Sequence, residues 1–481
     1  MHGRFTFNLF LLVLSNLLVK PLWIFGVDRM VQNQVGPAAW GTYFAVFNFS
    51  LLFGVLLDPG IHNFTNRAIS RHPERLGGYL INLSLLKMGL SVAYFLITLG
   101  LAAAAGFGEA QQHWLVILLL NQIILQGILF FRAQIGALQH FRTDALFSVS
   151  DKLLSLVFCS LLLLSQKNLS LDTFLYAQTA ALTITAMLAG IYVFRQPLVH
   201  TSIWSAQKFK RILWHTRGFA WLAFFMAIYF RADGILLERL LSGDHKQEAG
   251  IYAASYRILD AANMVAFLLS TLLLPLFSSA IREGKNVSAL IQYTTNLLWV
   301  AGMALCVLAI CRADMIIALL YPGGTTYWGS VFRILMVAFL PISSVYVFGT
   351  LLTARGDLRP LIRIAITGTL ITLILQCIAI PLGKAKGAAV ATVISQIIIA
   401  ILHFSAAQKH FSVQVFYKNG KSYLLHLIGM ACFGLIVHLY NLGIWTALIL
   451  IPIASLLLGA MTGLIEKEWV RSFPLARNLK K

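Results

Sequence analysis

The stretch DRMVQNQVGPAAWGTY, residues 28–43, decides the fold together with DGILLERLLSGDHKQEAGIY, residues 233–252, which repeats its pattern. In each copy an aspartate lies at or near the end of an apolar run, and glycine, any residue and tyrosine open the next run. The aspartate-to-glycine spacing is 13 residues in the first copy and 17 in the second, so the second connecting loop is four residues longer. Each copy is a predicted membrane hairpin, and the pair indicates two related halves of one transporter. Repeats of this kind place the substrate site between the halves.

Long apolar runs recur along the whole chain, which has 481 residues, 59% of them hydrophobic and 11% charged. Each run approaches the roughly 20 residues that a helix needs to cross a bilayer. The first run, 7–25, is longer than a signal-peptide core and lacks a small-residue cleavage pattern, so it is predicted to span. The fold class is therefore an all-α polytopic membrane protein with about 14 spans. The predicted spans are 7–25, 40–57, 79–104, 114–135, 145–164, 173–194, 219–237, 251–277, 290–310, 331–352, 364–380, 388–404, 424–440 and 443–465.

The net charge of +20 is spread over alternate loops, which argues against nucleic-acid binding. With the N-terminus inside, cytoplasmic segments carry 23 of the 37 Lys and Arg residues, outer segments carry 7, and the spans carry 7. Basic residues favour the cytoplasmic side, so both termini are expected in the cytoplasm.

Four regions are predicted along the chain: an N-terminal lobe of six spans (1–200), a cytoplasmic basic linker (201–218), a C-terminal lobe of six spans (219–410), and two extra helices with a basic tail (411–481). The linker is expected to lie on the anionic inner leaflet as an amphipathic segment, or to bind a regulatory partner. Its basic and aromatic residues are Trp204, Lys208, Phe209, Lys210, Arg211 and Trp214.

Ionisable side chains lie within the predicted spans, where each costs roughly 2.5–3.5 kcal/mol to insert and therefore usually faces a bundle interior or a wet cavity. Cations outnumber acids there, so we expect a cavity that binds an anionic substrate. Lys20, Arg231 and Arg257 are predicted at similar height along the substrate path. The remaining predicted cavity cations are Lys87 and Lys152, closer to the cytoplasm, and Arg132 at the inner mouth; Arg333 also lies within a span.

Two interpretations remain open for the acidic residues Asp58, Asp233 and Asp260. These three residues either form structural ion pairs with cations or titrate and couple transport to protons. A fourth acid, Asp151, lies beside Lys152. Arg257 and Asp260 are three residues apart and share a helix face. The membrane potential alone would also favour outward movement of an anion.

No cofactor or metal site is expected. The five cysteines show no metal-ligand spacing and are interpreted as apolar packing residues. No nucleophile–base pair or P-loop is present in the sequence, and the scattered His403, His426 and His438 are interpreted as residues of the helix bundle.

Several short motifs resemble a known family when their order and spacing are taken together. The first hairpin has Trp40-Gly41-Thr42-Tyr43 and then Asp58-Pro59-Gly60, and the second half begins with Arg231-Ala232-Asp233, followed by Gly250-Ile251-Tyr252-Ala253-Ala254 and Arg257. Two later segments resemble the same family. They are residues 320–359 and Gly383 with Gly387-Ala388-Ala389. From Phe7 to Gln408 the chain resembles the polysaccharide transporters of the multidrug/oligosaccharidyl-lipid/polysaccharide (MOP) superfamily, which include O-antigen flippases. Pro59 departs from the family pattern.

The resemblance implies two six-helix lobes around a V-shaped central cavity, with two extra C-terminal helices. It implies alternating access, in which a polyprenyl-diphosphate-linked glycan crosses from the inner to the outer leaflet for surface polysaccharides such as the O-antigen of lipopolysaccharide. It also implies a bacterial inner-membrane location, contact with membrane lipids, and glycosyltransferases or a glycan polymerase of the same pathway as partners. Cavity cations would hold the diphosphate by charge-assisted hydrogen bonds.

Two other functions are weighed against the flippase. A cation-coupled multidrug exporter would need a neutral or acidic cavity, which the excess of basic residues disfavours. A membrane glycosyltransferase or glycan polymerase would need a sizeable outer segment with catalytic acids, whereas the longest predicted outer segment, 312–330, holds only Asp314.

Overall fold

The computed structural model describes residues 18–19, 21–61, 76–165, 169–196, 206–241, 246–411 and 415–465. Within these ranges all regular secondary structure is helical. Lys20, most of the first predicted span and the basic C-terminal tail lie outside them.

The helices are numbered here in chain order. A six-residue π-helical segment, Trp23–Asp28, leads directly into the first α-helix, and a 3₁₀ turn, Gly54–Leu56, follows that helix. The α-helices are α1 (Arg29–Leu52), α2 (Leu76–Ala104), α3 (Glu109–Ala137), α4 (Phe141–Ser165), α5 (Leu171–Phe194), α6 (Ala206–Leu240), α7 (Glu248–Arg282), α8 (Ser288–Leu320), α9 (Thr326–Met336), α10 (Phe339–Arg355), α11 (Arg359–Phe411), α12 (Val415–Leu439) and α13 (Ile444–Met461).

Twelve helical segments of the described chain are long and apolar enough to cross a membrane. Two of them are broken at a residue with positive φ. The first is at Gly36, whose φ of 81° lies in the left-handed region and which precedes Pro37. The second is at Lys384 in α11, with φ 54°. Dividing these two segments at their breaks gives 14 spans, so the predicted fold class, all-α with about 14 spans, is confirmed.

The chain divides into two compact units, Met1–Ala253 and Ala254–Lys481. Helix α6 belongs to the first unit and packs against α1. The predicted domain boundaries at 200 and 218 therefore differ from this division and stay a prediction. Residues 206–218 of the predicted linker form the first turns of α6 rather than a separate segment. Trp214 is exposed there, and the Arg217 guanidinium lies 3.5 Å from its ring centroid.

The glycines of the two repeated motifs lie against each other in the first unit. A Cβ on Gly41 would come within 2.6 Å of the Gly250 nitrogen, and a Cβ on Gly250 within 1.9 Å of the Pro37 oxygen. Only residues without a Cβ allow backbones to approach so closely. Gln32 Nε2 also donates to the Gly250 carbonyl at 3.1 Å. The glycines of the repeated Gly-x-Tyr pattern thus lie where α1 closely approaches the start of α7.

The last two helices are bonded to α8 within the second unit. Asn296 Nδ2 donates to the Leu464 carbonyl at 3.0 Å, and the Tyr423 hydroxyl donates to Asn296 Oδ1 at 2.5 Å. Ser455 Oγ donates to the Val300 carbonyl of α8 at 2.7 Å. Polar bonds of this kind hold helices together in an apolar environment.

The predicted outer segment 312–330 is largely helical. Helix α8 continues to Leu320 and α9 begins at Thr326, which leaves only residues 321–325 between them. Arg312, expected in this segment, is a buried residue of α8 at a local break with φ −129° and ψ 21°. The run of apolar residues on both sides of Arg312 was the sequence signal for this extension.

Candidate functional site

Lys87 is a buried cation of α2 that is already paired. Its Nζ lies 3.4 Å from Asp58 Oδ2, and only 10% of the lysine side chain and 14% of the aspartate side chain are exposed. The ammonium also lies 5.7 Å from the centroid of the Phe130 ring. Asp58 in addition accepts a hydrogen bond from the Gly60 nitrogen at 3.0 Å. The two residues were predicted as a cavity cation and an ion-pair or coupling acid, and the structure brings them together.

Arg132 is also neutralised by a carboxylate. Its Nε donates to Asp144 Oδ1 at 2.8 Å, and about four-fifths of each side chain is covered. The pair joins the end of α3 to the first turn of α4, across a turn in which Gln139 has a φ of 62°. This arrangement closes a helical hairpin. Arg132, which was predicted at the inner mouth of the cavity, is therefore paired with Asp144 in the structure.

Lys152 has the most exposed side chain of these three cations. Its Nζ lies 3.6 Å from the carboxylate of the adjacent Asp151, and 35% of the lysine side chain is exposed. The ammonium lies 5.3 Å from the centroid of the Trp23 ring, within cation–π range. Consecutive helical residues do not face each other, so Asp151 holds Lys152 only loosely. Among the predicted cations with described ion pairs, Lys152 is the one best placed to contact a ligand.

Asp233 is bound by groups of its own repeat. It is buried, its Oδ1 accepts from the Gly234 nitrogen at 2.8 Å, and its Oδ2 accepts from the Tyr252 hydroxyl. The aspartate and the tyrosine of the second repeated motif therefore bond to each other. In the first copy, Asp28 and Tyr43 are likewise buried. Sequence reasoning proposed an arginine as the structural partner of Asp233, and Tyr252 was missed although it belongs to the quoted motif.

Arg231, Arg257 and Asp260 are all half-buried within helices. Arg231 lies in α6 of the first unit, whereas Arg257 and Asp260 lie in the part of α7 that belongs to the second unit. Lys20 lies outside the described residues. The assignment of these residues to a substrate path stays a prediction.

Within the described residues, no group of three His, Cys, Asp or Glu side chains is arranged to hold a metal ion. The five cysteines are free thiols. Two of them donate weakly to backbone carbonyls, Cys306 to Met336 and Cys311 to Gly434.

A family described as polysaccharide biosynthesis protein matches residues 5–281, more than half of the chain. The chain belongs to this family. The resemblance to polysaccharide transporters of the MOP superfamily is thereby confirmed. A search of curated proteins finds no match.

Solved structures share the fold of this family member at low sequence identity. The lipid II flippase MurJ, in an inward closed conformation, superposes with a TM-score of 0.70 at 15% identity, covering 94% of this chain and 98% of that one. An inward-facing multidrug resistance MATE transporter of the MOP superfamily superposes with a TM-score of 0.66 at 17% identity, covering 83% of this chain and 94% of that one. A MOP transporter from Pyrococcus furiosus, described as having a binding pocket of reversed polarity, gives 0.61 at 14% identity, covering 84% and 95%.

These comparisons are with transporters and flippases rather than enzymes, which confirms the interpretation of the chain as a transporter. The family member is a multi-pass membrane protein with the MOP fold, and its family is one of polysaccharide biosynthesis.

Proposed function

We propose that the protein is a flippase that moves a polyprenyl-diphosphate-linked oligosaccharide from the inner to the outer leaflet of the bacterial inner membrane. The observation that carries this proposal is the match to a polysaccharide biosynthesis family in a chain with a transporter fold. A transporter in such a pathway requires a substrate that must cross the membrane. Glycans built on a lipid carrier in the cytoplasm meet that requirement.

The extent of the fold similarity supports a flippase over an exporter. The match to the lipid II flippase covers 94% of the chain, whereas the match to the inward-facing multidrug transporter covers 83%. The difference, about a tenth of the chain, is close to the length of α12 and α13 together.

In the proposed mechanism, intramembrane cations attract the diphosphate while the lipid tail stays in the bilayer. Lys152 is the described cation best placed for this role, and Arg231 and Arg257 remain its predicted companions. Phosphate oxygens accept charge-assisted hydrogen bonds, which are stronger than neutral ones. Alternating access would then move the glycan without exposing it to hydrocarbon.

The second candidate is a cation-coupled exporter, which the buried carboxylate of Asp233 favours. Such a coupling acid must exchange its proton with water or with the substrate. Asp233 instead is buried and accepts from Tyr252 and Gly234, so its environment favours a structural role.

The test uses the full chain in proteoliposomes with a fluorescent polyprenyl-diphosphate-linked oligosaccharide in one leaflet. We expect the label to reach the other leaflet faster than in empty vesicles. A cationic dye loaded into matched vesicles reports export. Dye movement without lipid movement would overturn the flippase in favour of the exporter.

A further inference from the structure

The second unit contains a cavity of about 810 Å³ between α8, the α9–α10 pair and α12. Its walls are mainly apolar and include Met303, Val307, Leu340 and Met430. Cavities of roughly 300–1,000 Å³ are typical of small-ligand sites. Its charged lining residues are Arg312 and Asp314 of α8 and Arg333 of α9, and a terminal nitrogen of Arg333 bonds to Asp314.

Arg312 lines this cavity and is only 4% exposed. One terminal nitrogen donates to the Cys311 carbonyl at 3.2 Å and the other to the Val437 carbonyl at 2.5 Å. Its buried Nε–H has no hydrogen-bond acceptor among the described residues. Carbonyl dipoles do not cancel the full charge of a guanidinium. A buried charge with an unused donor is costly, so this position favours an anion.

Arg333 provides a second cation at the same end of the cavity. Its Nε donates to the Ile310 carbonyl at 3.0 Å, and a terminal nitrogen lies 3.3 Å from Asp314 Oδ2. The side chains of Arg333 and Asp314 are 39% and 49% exposed. Two guanidinium groups and one carboxylate leave this end with a net positive charge. Arginine suits phosphate because its planar fork donates two parallel hydrogen bonds.

Arg312 lies eight residues before the end of α8 and Arg333 seven residues after the start of α9, so both are about two turns from the connection between these helices, while the apolar wall follows α8 and α12. This is the shape of a site for an amphiphile, with an anionic group at the membrane surface and a hydrocarbon chain within it. On the orientation that the charge bias predicts, this surface is the outer one.

We propose that this cavity binds one anionic glycerophospholipid, with its phosphate between Arg312 and Arg333 and one acyl chain along α8 and α12. The lipid would complete the junction between α8 and α12. The site goes beyond the proposed function, because its occupant is a membrane lipid and not the transported glycan. An inorganic phosphate would leave the apolar wall unfilled.

The test is native mass spectrometry of the full-length protein with phosphatidylglycerol or phosphatidylcholine of matched chains. We expect one phosphatidylglycerol to be retained. Arg333→Gln should reduce its occupancy roughly tenfold, the factor equivalent to 1.4 kcal/mol of binding free energy. Ala431→Trp, which fills the exposed side of the cavity without changing a charge, should reduce it similarly. Lys386→Gln removes a cation of the same unit that does not line the cavity, and should leave occupancy unchanged.

Thermal unfolding of the same proteins provides the second measurement. Phosphatidylglycerol should raise the melting temperature of the wild type and of Lys386→Gln, but not of Arg333→Gln or Ala431→Trp. Three outcomes would overturn the proposal. They are retention of phosphatidylcholine equal to that of phosphatidylglycerol, an equal rise in melting temperature with inorganic phosphate, and displacement of phosphatidylglycerol by polyprenyl phosphate. Unchanged occupancy in both cavity variants would overturn it as well.

Discussion

Lys87 and Asp58 form a buried ion pair, with Nζ of the lysine 3.4 Å from Oδ2 of the aspartate. The pair joins α2 to the turn that follows α1. Both side chains are thus committed to the structure of the first unit, which lowers the positive charge that Lys87 offers to a substrate.

Removing one partner of this pair should destabilise the protein more than removing both. Lys87→Met takes the ammonium away from the largely covered Asp58 carboxylate, and breaking a buried ion pair typically costs about 3–5 kcal/mol. The double variant Lys87→Met with Asp58→Asn should recover much of that stability. Thermal unfolding in detergent measures the difference, and additive losses in the double variant would contradict the structural role.

Replacing a motif glycine should disrupt the contact between α1 and α7. Gly250→Ala places a Cβ 1.9 Å from the Pro37 oxygen, closer than any real contact. We expect little folded protein, measured as the monodisperse fraction in gel filtration. Gly89→Ala is the matched control, because nothing lies within 4 Å of its added Cβ. Within α2 that change should be neutral or stabilise by about 0.5–1 kcal/mol. Equal yields of the two variants would refute the close approach.

The bond between Tyr252 and Asp233 should affect stability rather than energy coupling. Tyr252→Phe removes a hydrogen bond to a carboxylate, worth roughly 1.5–3 kcal/mol. Asp233→Asn keeps an acceptor for the hydroxyl and should be milder. Both variants should show the same dependence of flipping on the proton gradient as the wild type. A loss of that dependence in Asp233→Asn, with stability unchanged, would assign the aspartate to coupling.

Substrate binding should depend on Lys152, the partly exposed cation of α4. Lys152→Gln is expected to slow flipping of lipid-linked oligosaccharide about tenfold, equivalent to 1.4 kcal/mol of lost binding free energy. Arg231→Ala and Arg257→Ala should abolish surface glycan while the protein still reaches the membrane. Lys285→Gln is the control, because this loop cation is 71% exposed and paired with Glu283. If all three site variants flip the lipid at the wild-type rate, these residues do not line the substrate path.

The helices were predictable from the sequence because hydropathy is a local property, and the two motif glycines already marked the hairpins. The ion-pair and hydrogen-bond partners of individual side chains were not predictable in the same way. Asp58 and Lys87 were both singled out, yet their pairing depends on how α2 approaches the turn after α1, a contact across 29 residues. Arg312 was expected in an outer segment because its charge interrupted an apolar run. Its side chain is buried and bonds to the Val437 carbonyl, 125 residues away, a contact that no local pattern indicates.

The last two helices should contribute to the stability of the second unit. Tyr423→Phe leaves Asn296 Oδ1 without its donor in an apolar environment, which we expect to cost about 1–3 kcal/mol. Tyr440→Phe is the matched control, because Tyr440 is 76% exposed. Thermal unfolding compares the two, and equal melting temperatures would contradict a structural role for the Asn296 bond.

The contact between Gly41 and Gly250 has a consequence for how the repeat can change. The two residues occupy equivalent positions in the two motifs, and a Cβ added to either one would meet the backbone of the other hairpin. A side chain at one position therefore requires the other hairpin to move. The two positions can vary independently in sequence but remain coupled in space.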